Sequence, residues 1–311
     1  MASIDLTNGP VVQCAVNFSE GRRPAVIASI VEAAAQEPDA VVADHSGDAD
    51  HNRMVLSLLG RPDGVLRALL AAAEAAIAAI DLRAHDGVHP RLGAIDVIPF
   101  VPIRNVSMAE SVELSIRCAA ALAERHGLPV YLYERSARPG RVSDLPALRR
   151  GGFEALRAAD LTGARAPDFG PPRAHLSAGA VICGARGPLV AVNANLDQPD
   201  GRAARRIAAS LRRRREAEAG LQGVRAIGLV LERAGVAQVS MNLTQPANTP
   251  LPGVLDAVRE EAEAAAVNVG MVEIIGLVPR ASFAGRPPSD LLCRHLADRQ
   301  IIDYWLDGGS E

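Results

Sequence analysis

The chain reads VVQCAVNFSEGRRPAVIASIVEAAAQ at residues 11–36 and, far downstream, GPLVAVNANLDQPDGRAARRIAASLRRRREA at residues 187–217. Each stretch holds an apolar, strand-like run containing Ala-Val-Asn (Ala15, Val16, Asn17 and Ala191, Val192, Asn193), then passes through a Gly-Arg pair (Gly21, Arg22; Gly201, Arg202) into helical periodicity. The continuations match as well. In the first half AVVADHS (40–46) and NRMVLSLLG (52–60) are strand patterns, GVLRALLAAAEAAIAAI (64–80) a helix and GAIDVIPFVPI (93–103) a strand. In the second, VRAIGLVLER (224–233), VAQVSMNLT (236–244), PLPGVLDAVREEAEAAAV (250–267) and GMVEIIGLV (270–278) repeat that order, and DVIPFVP from Asp96 parallels EIIGLVP from Glu273. A βαββαβ order met twice marks an internal duplication. The expected fold is α+β: two tandem ferredoxin-like subdomains, at 9–178 and 179–311, with antiparallel sheets backed by helices and a face or cleft left for a ligand.

Between the halves, SMAESVELSIRCAAALAERHG (107–127) predicts a further helix, opened by a Ser107/Glu110 capping box and closed at Gly127. LPVYLYE (128–134) adds a strand. From 137 to 175 the text turns rich in Pro and Gly and predicts a linker or ordered loop between domains, with one short helix.

Composition removes several classes of function. A net charge of -3 and 3% aromatic residues argue against a nucleic-acid binder. The chain has no lysine, so its 33 basic residues are all arginines, which excludes Schiff-base and Walker A chemistry. The N-terminus lacks a secretory pattern, and the longest apolar run is interrupted by Glu74, so a membrane role is not expected. Cys14, Cys118, Cys183 and Cys293 lie far apart, which fits free thiols in a reducing cytoplasm.

Polar chemistry gathers in AHDGVHPRLGAIDV (84–97). Pro90 pushes His89 toward an extended backbone, and His89 and Arg91, two apart, then share a direction. An imidazole beside a guanidinium suits proton transfer next to an anion; the alternative is a His and an Arg that cap a loop or pair with Asp86.

Together VVQCAVNFSEGRR, DHSGDADHNRMVLSLLG, GVHPRLGAIDVIPFVPI, PVYLYE, APDFGP and AQVSMNLTQ resemble, in order, the motifs of glutamate formiminotransferases, over roughly residues 11–283. The resemblance implies two ferredoxin-like subdomains and transfer of a formimino group from N-formimino-L-glutamate to N5 of tetrahydrofolate, the acceptor substrate, with no metal. It implies small-molecule substrates, a cytoplasmic homodimer, and only the transfer step, since the cyclodeaminase module of some relatives is not seen. His89 takes the role of catalytic acid or base. Within GPPRAHLSAG, the residues Gly170, Pro171, Arg173, His175, Ser177 and Gly179 correspond to the folate-contacting stretch. The tail after Phe283 matches nothing in the family pattern.

In the same reading Asn17, Ser19, Glu20, Asn52, Arg53 and Arg91 bind substrate. Both substrates carry carboxylates, and guanidinium forks grip carboxylates bidentately. Arg53 and Arg91 can instead pair with Asp48, Asp50 or Asp86, and Ser19 can be a plain helix cap. His45, His51 and the aspartates of DHSGDADHNR are read as turn residues in preference to metal ligands. LRRRREAE (211–218) is a solvated helix end, or a grip for an oligoglutamate tail.

One position departs from the family. Relatives commonly read GEHPR where this chain has Val88 before His89. Losing that carboxylate lowers the histidine's pKa or removes a contact to a cationic amidine. Two alternatives therefore stand beside the main reading: a non-catalytic folate- or metabolite-binding paralogue, and a formimino or formyl transferase of secondary metabolism.

Overall fold

The computed structural model describes residues 4–88, 90–293 and 295–309. Its first strand, β1 (Val11–Phe18), alternates as a half-exposed strand should: Val12, Cys14, Val16 and Phe18 enter the core, while Gln13, Ala15 and Asn17 take the other face. β1 pairs antiparallel with β3 (Arg53–Gly60) on one side and β4 (Ile95–Arg104) on the other, and β2 (Ala40–Asp48) lies outside β3. The spatial order β2-β3-β1-β4 is that of a ferredoxin-like unit. Helices α1 (Pro24–Ala35) and α2 (Pro62–Ala79) belong to the same core, α2 burying Val65, Leu66, Leu69 and Leu70. Each such side chain contributes roughly 1.5–3 kcal/mol of transfer free energy.

α3 (Met108–His126) begins and ends as its sequence predicts. Ser107 and Glu110 form the reciprocal capping box, and Gly127 closes the helix in the left-handed region at φ 62°.

The region beyond α3 differs from the sequence reading. β5 (Val130–Leu132) and β6 (Val181–Ala185) join β4 in parallel, so the first sheet has six strands in the order β2-β3-β1-β4-β6-β5 and is mixed rather than purely antiparallel. The Pro/Gly-rich stretch is ordered, the second of the two expected alternatives, but it lies within the first unit and not between domains. Where one short helix was expected it folds into α4 (Leu145–Leu148) and α5 (Gly152–Arg157), whose Leu145, Leu148 and Leu156 pack on Tyr131, Tyr133, Val97 and Ile182. Helices of one turn carry too few apolar repeats to show periodicity. Because β6 pairs inside the first sheet, that unit continues through Arg186 and the second spans Gly187–Gly309, whereas the sequence reading divided the chain between 178 and 179.

The second unit repeats the plan. β7 (Val190–Leu196), α6 (Gly201–Arg214), β8 (Val224–Leu231), β9 (Val236–Leu243), α7 (Leu251–Glu263) and β10 (Val269–Ile275) give the order β10-β7-β9-β8. Asp200 caps α6 through the backbone N–H groups of Arg202 and Ala203. The tail after Phe283 is structural: Leu291 and Cys293 join this core, and α8 (Ile302–Leu306) buries Ile302 and Trp305. No helix among the described residues is long and apolar enough to cross a membrane.

Candidate functional site

Four connections of the first unit converge at one end of its sheet. They are the β1–α1 link (19–23), the β2–β3 hairpin tip (49–52), the loop entering β4 (85–94) and a turn before β6 (175–179). Backbone and short side chains stitch them together. Ser19 donates its Oγ proton to the carbonyl of Gly93 at 2.7 Å and its N–H to Ala94 at 2.9 Å. It is therefore no helix cap. Glu20 acts near that terminus instead, accepting from the N–H groups of Arg22 and Arg23 and from the Arg23 guanidinium. Burial opposes ionisation of Glu20, but those donors outweigh it and hold the carboxyl below its usual range.

Asn52 sits in the left-handed region at φ 46°, a conformation asparagine tolerates, and works as a clamp. Its Oδ1 accepts from Gly21 at 3.0 Å and its Nδ2 donates to the Asp86 carbonyl at 2.8 Å. Gly21 must be glycine here, because a Cβ would lie 2.1 Å from the Asp48 carbonyl oxygen. The Asp48 carboxylate in turn accepts the N–H of His51 within the hairpin, and the Asp50 backbone carbonyl accepts that of Val88 in the loop entering β4. No group of three or more His, Cys, Asp or Glu among the described residues has metal-holding geometry.

A tight polar cleft lies between these connections, lined by Ser19, His51, Asn52, Arg53, His85, Arg91 and Asp96 and closed, among the described residues, to a water-sized molecule. The sequence reading of the substrate-binding residues is gathered here in part: Ser19, Asn52, Arg53 and Arg91 share the cleft, Glu20 adjoins it in the β1–α1 link, and the Asn17 side chain, on β1, donates to the Ala15 carbonyl. Arg91 reaches neither Asp48 nor Asp50; it donates to the His85 carbonyl at 2.7 Å and to Glu154 at 2.8 Å, while Asp86 pairs with Arg22. Burial, together with the neighbouring guanidinium of Arg149 and against the pull of Asp96 and Asp48, lowers Arg53 to about 10, so it stays cationic at neutral pH. His89 lies outside the described residues.

Two site residues were given no role in the sequence reading, although both lie in the polar stretch 84–97. Asp96, fully buried, accepts the Leu92 N–H at 2.7 Å and pairs with Arg149, anchoring the far end of the HPRL loop. The available signal was a single acid inside an apolar strand. His85 is half-buried, and its Nε2 lies 2.9 Å from the Asn52 carbonyl oxygen. Burial pulls its pKa down.

The GPPRAHLSAG stretch borders the same loop. Gly170, at φ 86°, lets the chain pass so close to Leu128 that a Cβ would meet its carbonyl oxygen at 2.1 Å. His175 and Gly179 exchange backbone hydrogen bonds, and His175 Nδ1 accepts the Ala178 N–H at 3.0 Å. The turn meets the first loop where the Ser177 carbonyl accepts from Leu82 and Ala180 donates to Leu92. Pro171 precedes it, and Arg173 is exposed. Of LRRRREAE, Arg214 pairs with Glu218, Glu260 and Glu261, and Arg212 and Arg215 bind backbone carbonyls of β8.

Twin ferredoxin-like units, one with arginines and a histidine gathered among its loops, define an α+β protein. The formiminotransferase domain, N-terminal subdomain, matches residues 11–186 and the formiminotransferase domain matches 191–285, the two meeting where the structural units meet. The chain belongs to the formiminotransferase family. It is 39% identical to the glutamate formimidoyltransferase of Streptococcus pyogenes serotype M1, over 86% of this chain and 89% of that protein. The glutamate formimidoyltransferase of Thermoplasma acidophilum is 38% identical, over 88% and 89%. The formimidoyltransferase-cyclodeaminase of Sus scrofa is 42% identical over 86% of this chain, which spans half the length of that relative.

Proposed function

We propose that this chain transfers a formimino group from N-formimino-L-glutamate, or a close relative of it, to N5 of tetrahydrofolate. The observation that carries the reading is the agreement of both family domains with both structural units, together with the meeting of three of the family-like motifs, those at 11–23, 44–60 and 87–103, around one cleft. N5 attacks the amidine carbon to give a tetrahedral diamine, whose glutamate nitrogen leaves once it is protonated. His89 takes the proton from N5 and returns it to that nitrogen, a single imidazole serving as base and then acid. Arg53 and Arg91 hold carboxylates. Ser19, Asn52 and Asp96 keep the loops in register, so that proximity of the two substrates supplies on the order of 7 kcal/mol or more. The turn at 170–179 holds the folate. Four buried free cysteines support a reducing compartment, and the homodimer implied by the resemblance belongs to the same reading.

The test is direct. The chain, tetrahydrofolate and N-formimino-L-glutamate should yield 5-formiminotetrahydrofolate and glutamate, followed by absorbance or mass. The competing reading of a changed donor rests on Val88, which is half-exposed beside His89.

A further inference from the structure

Alternation along β5 sends Val130 and Leu132 into the helix-backed core and turns Tyr131 to the other face of the first sheet, where it joins Leu92, Val97 and Ile182 beneath α4 and α5. That second core is not filled. Between the two short helices and the sheet lies an open cavity of about 440 Å³, a volume within the range of small-molecule sites. Its apolar walls are Leu92, Tyr131, Leu148, Leu156 and Leu161. No residue of the polar cleft and none of the 170–179 turn lines it.

The charges around this cavity are unevenly matched. Asp168 is almost fully buried and already engaged: it accepts the Leu132 N–H at 2.8 Å and lies 3.5 Å from Arg138 and 3.8 Å from Arg141. Arg141 also donates to the carbonyls of Gly163 and Ala166. Arg150 and Arg165 line the cavity from its exposed side, and their guanidinium groups have neither an ion pair nor a hydrogen bond among the described residues. The cavity is also tied to the loop entering β4. Leu92 forms part of its wall, and Gly152, which lines it too, is followed by Phe153, whose N–H donates to the Arg91 carbonyl at 2.9 Å.

We propose that this cavity is a second ligand site, distinct from the substrate cleft, and that it takes a small aromatic carboxylate. The ring is buried among the leucines and Tyr131, while the carboxylate meets Arg150 and Arg165, whose planar guanidiniums match a carboxylate and also stack on aromatic faces. An uncharged apolar molecule would leave both cations unmatched, and an inorganic anion would leave the apolar walls wet. A ligand seated there packs on Leu92 and so steadies the segment that carries Arg91. Binding needs no turnover, so the proposal stands or falls apart from formimino transfer.

The probe is 2-naphthoate, with 2-naphthamide as its uncharged counterpart. Titrated into the full chain and followed by ligand-observed NMR, 2-naphthoate should bind with a Kd of about 1 mM or tighter, and 2-naphthamide about tenfold more weakly. Arg150→Gln and Arg165→Gln, both at exposed positions, should each weaken 2-naphthoate about threefold with the melting midpoint held. Ala147→Phe, which places a ring in the cavity, should abolish binding. Hydrogen exchange locates the ligand: the amides of Leu92 and Phe153 should exchange more slowly when it is bound, and those of residues 19–23 should not change. Equal binding of amide and carboxylate, wild-type affinity in both arginine variants, or binding without slower exchange at Leu92 and Phe153 would each overturn the proposal. So would displacement of 2-naphthoate by tetrahydrofolate, which would make the cavity part of the acceptor's seat.

Discussion

Asp96 and Asp86 show how location decides what one carboxylate is worth. Asp96 is buried, satisfies the Leu92 N–H and faces Arg149, whose side chain is 14% exposed. Asp96→Asn strands a buried guanidinium and should cost about 3 kcal/mol in a denaturant titration. Asp86, 82% exposed, pairs with Arg22 at the surface, and Asp86→Asn should cost under about 1 kcal/mol. Equal losses would show that the loop is not anchored through Asp96. For His89, a proton relay is required for turnover and not for binding, so His89→Ala should abolish transfer and leave tetrahydrofolate affinity nearly intact; wild-type turnover in that variant would remove His89 from the mechanism. Val88→Glu tests the changed-donor reading. If Val88 marks another donor, the restored charge beside a cationic amidine should improve use of N-formimino-L-glutamate severalfold, since even a solvated pair contributes about 0.2–1 kcal/mol and a desolvated one more. A neutral or harmful effect in an already efficient wild type leaves N-formimino-L-glutamate as the donor.

At the scale of elements, what could be read from sequence tracks how much repetition each element contains. Long amphipathic helices such as α2 and α3, the alternating β1 and the Ser107/Glu110 cap announce themselves through period or pattern. β6 and the helices α4 and α5 do not, being short and embedded among Pro and Gly, and their partners lie far away in sequence. The site divides in the same way. Motif loops marked Ser19, Asn52, Arg53 and Arg91 as a set, but hydrogen bonds tie Ser19 and Asn52 to neighbouring backbone, and no sequence pattern separates such a brace from a ligand contact. His85 and Asp96 show their roles only once the loop is closed.

Two elements carry testable strain or charge. Gly170→Ala forces a Cβ onto the Leu128 carbonyl at a positive φ, and should cost more than about 1 kcal/mol and loosen the adjoining folate turn. Burial lowers both His85 and His175 from the ordinary 6.5. The unfolded chain therefore binds these protons first, so the stability gained from neutral imidazoles is intact above about pH 6.5 and is lost as pH falls toward the folded values. The melting midpoint should drop between about pH 7 and pH 5.5. His85→Gln, which cannot titrate, should flatten part of that drop, and an unchanged profile would contradict the burial of a neutral ring.

On the scale of the whole molecule, the duplication explains why one sequence pattern yields two βαββαβ sheets, each with its own core. The two units differ in what surrounds that plan. The first carries β5 and β6 in its sheet and brings its loops together at one end, while the second covers its core with the segment that ends in α8. Formimino transfer to tetrahydrofolate is the claim on which the roles of these loops depend. Purified chain incubated with tetrahydrofolate and N-formimino-L-glutamate, and followed by mass spectrometry, tests it most directly. The account predicts 5-formiminotetrahydrofolate and glutamate in equal amounts, formed by the wild type and not by His89→Ala; tetrahydrofolate recovered unchanged with the wild type would contradict it.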